Sequence, residues 1–291
     1  MSGKLKPIVA TLTLAVCGLT VHHVTRDANA IHPRIMAATF PDIARTNSDS
    51  VTSGPTSVSP AQPETDDFKH FQGHLKSARA AAEVLPGYTA ILELQEEVAG
   101  SLRPVDRIEL KTRREPFSVY MRWNDSGQEA LYVHGENDNR LIVKPTKGLA
   151  AIRRVWRLEP DSPMAKQNCR YPITDVGIEN LVRRIQEFYS QRDDWSALAV
   201  FGSAESTLAG REVTVFHVKF KDKNAVPEYC SSKFCFDNQT QLLVAVENYG
   251  WSNHEIPTLI ERYVYHQITE TPQPEDADFA EENPAYQFVA K

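Results

Sequence analysis

The sequence has few cysteines, and their arrangement does not suit a metal site. Four occur in 291 residues, and none belongs to a Cys-x-x-Cys pair or lies beside a pair of histidines, as a thiol zinc site requires. Cys230 and Cys235 fall in one predicted strand, where their separation is about 16 Å. A disulfide tolerates only about 7 Å between alpha carbons. We therefore expect no metal and no bridge between these two, and the pairing of Cys169 stays open.

An excess of basic charge is also absent. Lysine and arginine number 32 against 38 aspartates and glutamates, which gives a formal net charge of −6. Binding nucleic acid without sequence preference needs a basic surface that displaces counterions, so we expect no nucleic-acid partner. The charged fraction of 24% and the hydrophobic fraction of 41% are typical of a soluble globular protein.

Catalytic and nucleotide-binding motifs are incomplete throughout the chain. Residues 144–148 (KPTKG) lack the first glycine and the terminal Lys-Ser/Thr pair of a phosphate-binding loop. Gly202-Ser203 lacks the second glycine of a nucleophile elbow, and His254-Glu255 lacks the second histidine of a zinc helix. We therefore expect neither an enzyme nor a cofactor.

The first thirty residues have the pattern of a signal peptide. Lys4 and Lys6 precede an apolar run from Pro7 to Val21, which is too short to span a bilayer comfortably. Ala28 and Ala30 then supply the small residues that a signal peptidase recognises. Residues 1–30 are accordingly predicted to be removed, which places the protein in the periplasm or outside the cell, with no permanent membrane span.

Cys17 offers an alternative to cleavage at Ala30. A lipoprotein site needs a small residue just before the cysteine, and Val16 occupies that position. Cleavage is therefore favoured over lipidation, although the second alternative stays open.

A polar segment follows the signal peptide. Residues 31–65 are rich in serine, threonine and proline, and from Thr46 to Glu64 they contain neither leucine, isoleucine nor an aromatic residue. Such a segment cannot bury enough apolar area to offset its ordering entropy, so it is predicted to be a disordered spacer. Residues 66–291 are predicted to form a single α+β domain.

Two helices and about nine antiparallel strands are predicted in that domain. Apolar residues recur at helical spacing in two stretches, Phe68 to Leu85 and Ile178 to Phe188, and Thr174 is a plausible N-cap for the second. Most of the remaining chain alternates with period two between turn residues, as strands do. Helices that stand apart from a run of strands indicate an α+β fold and not alternating βαβ units.

Two of the predicted strands present large apolar side chains on one face. Residues 117–123 alternate as in a half-buried strand, and a strand near residues 150–158 does the same. Five side chains on these faces are candidates for lining a ligand cavity: Phe117, Met121, Trp123, Ile152 and Trp156. The same residue types also fill ordinary cores, so a solid interior stays open as the alternative.

Basic residues accompany the second of these strands. Lys147, Arg153, Arg154 and Arg157 could form a rim that binds anionic groups by forked hydrogen bonds. They could equally form a solvated strand face in an acidic protein.

Four stretches together resemble a known family. They are residues 115–123 (EPFSVYMRW), 170–177 (RYPITDVG), 261–265 (ERYVY), and Asp278-Phe279 with residues 283–288 (NPAYQF). This set resembles a secreted bacterial family catalogued as a domain of unknown function, family 1571, over roughly Phe68 to Phe288. The family has no assigned activity, so the resemblance implies no catalytic residues.

The order of elements is more loosely similar to the periplasmic lipoprotein carriers and their outer-membrane receptors. That resemblance implies a single curved antiparallel β-sheet, a half-barrel, whose concave face is covered by helices over an apolar cavity. The leading hypothesis is a non-enzymatic cell-envelope protein that binds an apolar or lipid-like ligand under the sheet. The rival hypothesis is an envelope scaffold with a solid core that acts through a protein partner and takes no small ligand.

Overall fold

The structure is a computed structural model that describes residues 64–146, 155–252 and 257–288. Its helices are α1 (Glu64–Glu83), α2 (Ile178–Ser190) and the short α3 (Trp195–Leu198). Its strands are β1 (Gly87–Val98), β2 (Ser101–Leu102), β3 (Asp106–Arg113), β4 (Ser118–Trp123), β5 (Glu129–Val133), β6 (Leu141–Lys144), β7 (Trp156–Leu158), β8 (Ala199–Leu208), β9 (Arg211–Phe220), β10 (Ser231–Asp237), β11 (Leu243–Gly250) and β12 (Thr258–Glu270).

All the strands join one large, open, curved antiparallel sheet with few helices. The order is β7-β6-β5-β4-β3-β1-β12-β11-β10-β9-β8, and β2 pairs only with β1. Each side is a meander of neighbours in the chain, and the two meanders are joined where β1 pairs with β12. In that pairing Leu92 lies opposite Tyr265, and Leu94 lies opposite Tyr263. The middle of the sheet is therefore built from the two ends of the domain.

The two predicted helices and most of the predicted strands agree with these elements in place and type. Ala197 and Leu198, which were predicted to begin a strand, lie in α3 instead, and β8 begins at Ala199. The described part of the chain contains twelve strands where about nine were predicted, and it adds the short helix α3 and the two-residue β2, which is too short to show a period. The predicted N-cap at Thr174 was wrong, because Ile173–Asp175 forms a 3-10 turn and α2 begins after Gly177. The free N–H of Ile178 donates instead to the Tyr88 hydroxyl at 2.8 Å.

The interior over β8 to β11 is packed with aromatic rings, and we call it the aromatic end. Phe71 of α1 is fully buried, with ring centroids 5.0 Å from Phe234 and 5.3 Å from Phe216. Trp195 of α3 is also fully buried and donates its indole N–H to the Tyr189 carbonyl at 2.6 Å. The apolar stripe predicted on the first helix thus covers this end of the sheet.

The opposite face of β3 to β6 is covered by the C-terminal segment, residues 271–288. Tyr286 stacks on Tyr120 with ring centroids 3.8 Å apart, and both are buried with Phe279 and Phe288. The prediction that β4 is half-buried was therefore wrong at its N-terminal end, where both faces of residues 118–121 are buried. Alternation along one strand cannot reveal a cover that arrives from more than 150 residues later.

The predicted domain limits are only partly within view. Helix α1 begins at Glu64, two residues before the predicted start of the domain at residue 66. The predicted signal peptide, its cleavage residues Ala28 and Ala30, Cys17 and nearly all of the predicted spacer lie outside the described residues.

Candidate functional site

A cavity of about 360 Å³ lies between the sheet and the chain that crosses it after β7. We call this part of the interior the cavity end, to distinguish it from the aromatic end. The volume falls within the range of small-molecule sites, which are mostly apolar with a few convergent polar groups.

The sheet supplies an apolar wall to the cavity. Residues that face one another across neighbouring strands share a face, and Trp156, Val143, Ala130 and Met121 form one such row from β7 to β4. The wall comprises Leu92, Leu94, Met121, Trp123, Ala130, Leu141, Val143, Trp156 and Leu158. Because strand side chains alternate between faces, every second residue of these strands contributes to one continuous surface.

The opposite wall comes from residues 159–177, which we call the cover segment, and from α2. Met164, Cys169 and Tyr171 of the cover segment line the cavity, together with Leu181 and Arg184 of α2. Met164 is 41% exposed, so it lies at the rim between the cavity and solvent. Burial, in the vicinity of Glu96, raises the pKa of the Cys169 thiol to about 11.

Arg170 anchors the cover segment to the sheet. Its guanidinium Nε lies 3.3 Å from Glu261 Oε2, and its backbone N–H donates to Glu96 Oε2 at 2.9 Å. The guanidinium also donates to the Glu97 carbonyl at 3.2 Å. One residue thus ties the cover segment to both β1 and β12, the two strands that join the halves of the sheet.

Glu261 is the centre of a buried polar network beside the cavity. It accepts hydrogen bonds from Tyr229 at 3.1 Å and from Asn248 at 2.6 Å. The Tyr263 hydroxyl donates to Glu96 and lies 3.2 Å from the second oxygen of Glu261. The members come from β1, β11, β12 and the chain before β10, and we call this set, with Arg170, the seam network.

Three acids line the cavity, namely Glu96, Asp106 and Asp175. Burial raises the pKa of the Glu96 carboxyl above its usual range, although hydrogen bonds from Tyr263 and the Arg170 N–H act in the opposite direction. Burial likewise raises the pKa of Asp106, against a hydrogen bond from the Trp123 indole. In both residues the shift reflects the cost of withdrawing a charged carboxylate from water.

Arg184 is the cation of the inner cavity wall. Its guanidinium carbon lies 3.7 Å above the ring of Tyr171 and 5.9 Å from that of Tyr263. At the shorter distance the planar guanidinium stacks on the aromatic face, an arrangement that leaves its N–H edges directed sideways.

Of the five predicted cavity residues, three line the cavity, one lines a different recess and one lies outside the described residues. Met121, Trp123 and Trp156 line the cavity. Phe117 precedes β4 and lines a second, more polar recess beside Tyr88 and Gly177, because it lies beyond the end of the strand that carries the row. Ile152 lies outside the described residues.

The predicted basic rim is likewise only partly described. Arg157 donates to Glu281 at 2.5 Å and points to the face that the C-terminal segment covers. Lys147, Arg153 and Arg154 lie outside the described residues.

Sequence reasoning missed the polar side of the site. Glu96 and Glu261 occupy positions that the strand period places among apolar residues, and the helical period placed Arg184 on the polar side of α2, away from the interior. Neither pattern gives a reason to single these residues out. Two of the stretches that carry the family resemblance, residues 170–177 and 261–265, supply Arg170, Tyr171, Glu261 and Tyr263. The signal available in the sequence was that both stretches belong to the family resemblance. Their contact with each other is visible only in the folded chain.

The described part of the chain contains neither a cluster of metal-ligating side chains nor a membrane-spanning helix. Residues 64–146, 155–252 and 257–288 contain no group of three or more His, Cys, Asp or Glu side chains that could hold a metal ion. The same residues form no helix with the length and apolar character needed to cross a bilayer.

Comparison with known sequences identifies the family. The family described as "Protein of unknown function (DUF1571)" matches residues 85–288. The chain belongs to the DUF1571 family. The matched range includes the cavity, the cover segment and the seam network, so the whole candidate site is part of the family's shared domain. No curated protein matches this DUF1571 chain.

Solved structures share its overall shape loosely. Lipoprotein LppX of Mycobacterium tuberculosis is 9% identical, with 71% of this chain and 97% of that chain covered and a TM-score of 0.40. A putative outer membrane lipoprotein-sorting protein domain of Vibrio parahaemolyticus is 14% identical, with coverages of 74% and 97% and a TM-score of 0.32. A LolA superfamily protein of Nitrosomonas europaea is 10% identical, with coverages of 72% and 96% and a TM-score of 0.29.

Proposed function

We propose that this chain is a non-enzymatic protein of the cell envelope that holds an apolar or lipid-like ligand in the cavity. The single observation that supports the proposal is the 360 Å³ space against a continuous apolar wall of the sheet. Exposed apolar surface of this extent is costly in water, and an apolar ligand removes it from solvent.

The side chains around the cavity support a binding role over a packing defect. Ala130 and Val143 are small residues in the middle of the row, whereas the larger Trp156 and Met121 lie at its two ends. Trp123 lies two residues beyond Met121 on β4 and also lines the cavity. This arrangement leaves space at the centre and places large side chains at its borders. Three of the predicted residues, Met121, Trp123 and Trp156, are therefore proposed to contact the ligand.

The finer description of the fold belongs to the same proposal. In it the sheet is a half-barrel of the lipoprotein-carrier type, and α2 with the cover segment closes its concave face over the ligand. Export through residues 1–30 would deliver the protein to the periplasm or beyond, where lipids are available and where an envelope protein could receive or donate one. Phe117 and Ile152 remain proposed contacts at the margins of the site.

The first experiment fills the cavity. Ala130→Phe places a ring in the central space and should abolish saturable binding of a fluorescent fatty acid, while the melting temperature stays at or above that of the wild type. Ser203→Phe adds the same side chain at an exposed position of β8 and should leave binding unchanged. If the wild type binds no fatty acid and carries no lipid from its own envelope by native mass spectrometry, the proposal is wrong and the solid-core scaffold is favoured.

Cysteine labelling provides a second readout. All three cysteines of the described chain are free, and Cys169 lines the cavity whereas the half-buried Cys230 does not. A bound fatty acid should slow the alkylation of Cys169 by a maleimide and leave that of Cys230 unchanged, as peptide mass mapping would show. Equal rates with and without the fatty acid would place its site outside the cavity.

A further inference from the structure

The arginines near the middle of the sheet differ in whether they have a partner. Arg170 pairs with Glu261, and Arg262 pairs with Glu247 at 3.2 Å. Arg183, the neighbour of Arg184 on α2, contacts Asp175 at 3.3 Å and Glu187 at 2.9 Å. Within the described residues, by contrast, Arg184 has ring contacts but no carboxylate at ion-pair distance and no hydrogen-bond acceptor.

The surroundings of Arg184 make this exception informative. The side chain is only partly accessible, and what it reaches is the cavity. A half-buried guanidinium that faces a cavity and has no acceptor from the protein gains free energy from an acceptor placed in that cavity. Glu261, the carboxylate that acts on it electrostatically, is already engaged by Arg170, Tyr229 and Asn248.

The stacking of Arg184 also fixes its orientation. Because one face of the guanidinium covers the Tyr171 ring at 3.7 Å, the in-plane N–H groups are held ready for an acceptor. A guanidinium edge matches the two oxygens of a carboxylate or phosphate, which accept parallel hydrogen bonds. The other cation of the lining, Arg103, is exposed at the rim, so the inner position belongs to Arg184.

We propose that the cavity takes an amphiphile whose carboxylate or phosphate head binds Arg184 while its apolar chain lies along the wall from β4 to β7. This inference rests on the proposed function and adds the charge of the ligand to it. Among amphiphiles of equal chain length, Arg184 would favour those with an anionic head. An anionic head accepts hydrogen bonds from the Arg184 N–H groups, whereas a neutral head leaves these donors without acceptors.

The test compares ligands that differ only in the head. Calorimetric titration of the wild type with decanoate, decyl phosphate and decanol should give dissociation constants for the two anions at least about tenfold below that of the alcohol, the equivalent of one charge-assisted contact. The carboxylate and phosphate arms separate a fatty acid from a phospholipid head. Equal affinities for all three would overturn this inference while leaving the proposed function standing, and failure of all three to bind would overturn both.

Variants assign the selectivity to one residue. Arg184→Gln should remove the advantage of the anions and bring them to the affinity of decanol, whose own binding should change less than about threefold. Arg183→Gln removes the same charge from the same helix, outside the cavity, and should keep the advantage. Arg184→Lys keeps the charge but loses the planar fork, and it should retain only part of the preference.

Folding is checked separately, since Arg184 also supports Tyr171. Decanol binding and the far-ultraviolet circular dichroism of each variant report whether the cavity is intact. An Arg184→Gln variant that binds decanol normally and still prefers the anions would contradict the assignment to Arg184.

Discussion

The aromatic end and the cavity end lie under one sheet, yet they are filled in opposite ways. At the aromatic end Phe71 and Trp195 are fully buried, and α1 and α3 place their rings directly against β8 to β11. At the cavity end the sheet offers Ala130 and Val143, and the cover is a segment without regular helix for much of its length. Helices with large side chains fill the first end, whereas small strand residues beneath a looping cover leave the second open.

If the cavity binds a ligand as proposed, this contrast separates stability from binding within one domain. Close packing of aromatic rings contributes dispersion energy and removes apolar area from water, so the aromatic end supplies much of the free energy of folding. The cavity end lacks this close packing. There, the seam network around Glu261 holds the cover segment against the sheet. Substitutions at the two ends should therefore have different consequences.

The largest effect is expected at the aromatic end. Phe71→Ala should lower the free energy of unfolding by about 3–5 kcal/mol, because it leaves a void among rings that cannot collapse easily. Lys76→Ala, on the exposed side of α1, should change it by less than about 0.5 kcal/mol. Urea denaturation measures both. A loss at Phe71 as small as that at Lys76 would break the comparison, since it would mean that the aromatic end is loosely packed.

The seam network should give the next largest effect. Glu261→Gln retains the shape of the side chain but removes its negative charge. That charge pairs with Arg170 and accepts hydrogen bonds from Tyr229 and Asn248. The substitution should lower the free energy of unfolding by about 1.5–3 kcal/mol. Glu270→Gln, exposed on the same strand, is the matched control. Hydrogen exchange should further show faster opening of the cover segment than of α1 in the Glu261 variant. Equal acceleration in both would mean that the network does not act locally.

A smaller effect on stability, with a clear effect on binding, is expected at Trp156. Trp156→Ala should cost less than about 1.5 kcal/mol, compared with the roughly 3–5 kcal/mol for truncating a tryptophan in a solid core. Binding of a fluorescent fatty acid should weaken, because the variant loses apolar contact area on the cavity wall. Thermal melts and a parallel titration decide the matter. A badly destabilised variant together with a wild type that binds nothing would favour a solid core at this end too.

The smallest effect is a dependence on pH. Burial lowers the pKa of His74, helped by His70 and opposed by Glu205. Burial also lowers that of His266, with Glu93 opposing and Arg107 and Arg262 assisting. Just below about pH 6.5 these two histidines bind more protons in the unfolded chain than in the folded one, so their contribution to the free energy of unfolding should fall as the pH drops from 7 toward 5. The raised pKa values of Glu96 and Asp106 act in the opposite direction toward the acidic end of this range.

Denaturation at several pH values measures this slope. His74→Gln should reduce the slope contributed by the aromatic end, where His74 contacts Phe216 and Phe236 with ring centroids 5.0 and 5.3 Å away. His266→Gln should reduce the part contributed near the middle of the sheet. Glu93, whose pKa is lowered because ion pairs outweigh its burial, loses its contribution only below its usual range, so it does not interfere in this window. Unchanged slopes in both variants would contradict the assignment.

Local pattern was sufficient for most of the secondary structure. The alternation of Met121 and Trp123 with polar neighbours placed them on one face, and helical spacing placed Phe71 and Leu75 on another, because each pattern is complete within a few residues. The cavity wall formed by β4 and β7 could therefore be anticipated in part. Whether the faces enclose a space depends on what arrives from the rest of the chain.

Long-range contacts account for what the sequence did not predict. Tyr263 meets Glu96 across 167 positions, and the Gln287 N–H meets Glu129 across 158. The periodicity within one strand cannot predict a contact between residues so far apart in the sequence. The same holds for Tyr120, which a period assigns to solvent and which Tyr286 covers. Acidic residues in apolar strand positions, such as Glu96 and Glu261, signal that a partner must exist without saying which one.

The pairing of β1 with β12 has a consequence for how the protein is made. Leu92 and Leu94 emerge early in synthesis, whereas Tyr263 and Tyr265 across from them emerge some 170 residues later. Until that late strand arrives, the cavity has no complete wall, and the cover segment has no Glu261 to hold it. Closing so long a loop is slow and cannot begin on a partial chain. The cavity wall is thus complete only once β12 has been synthesised, and a nascent or truncated chain that lacks β12 has no closed cavity.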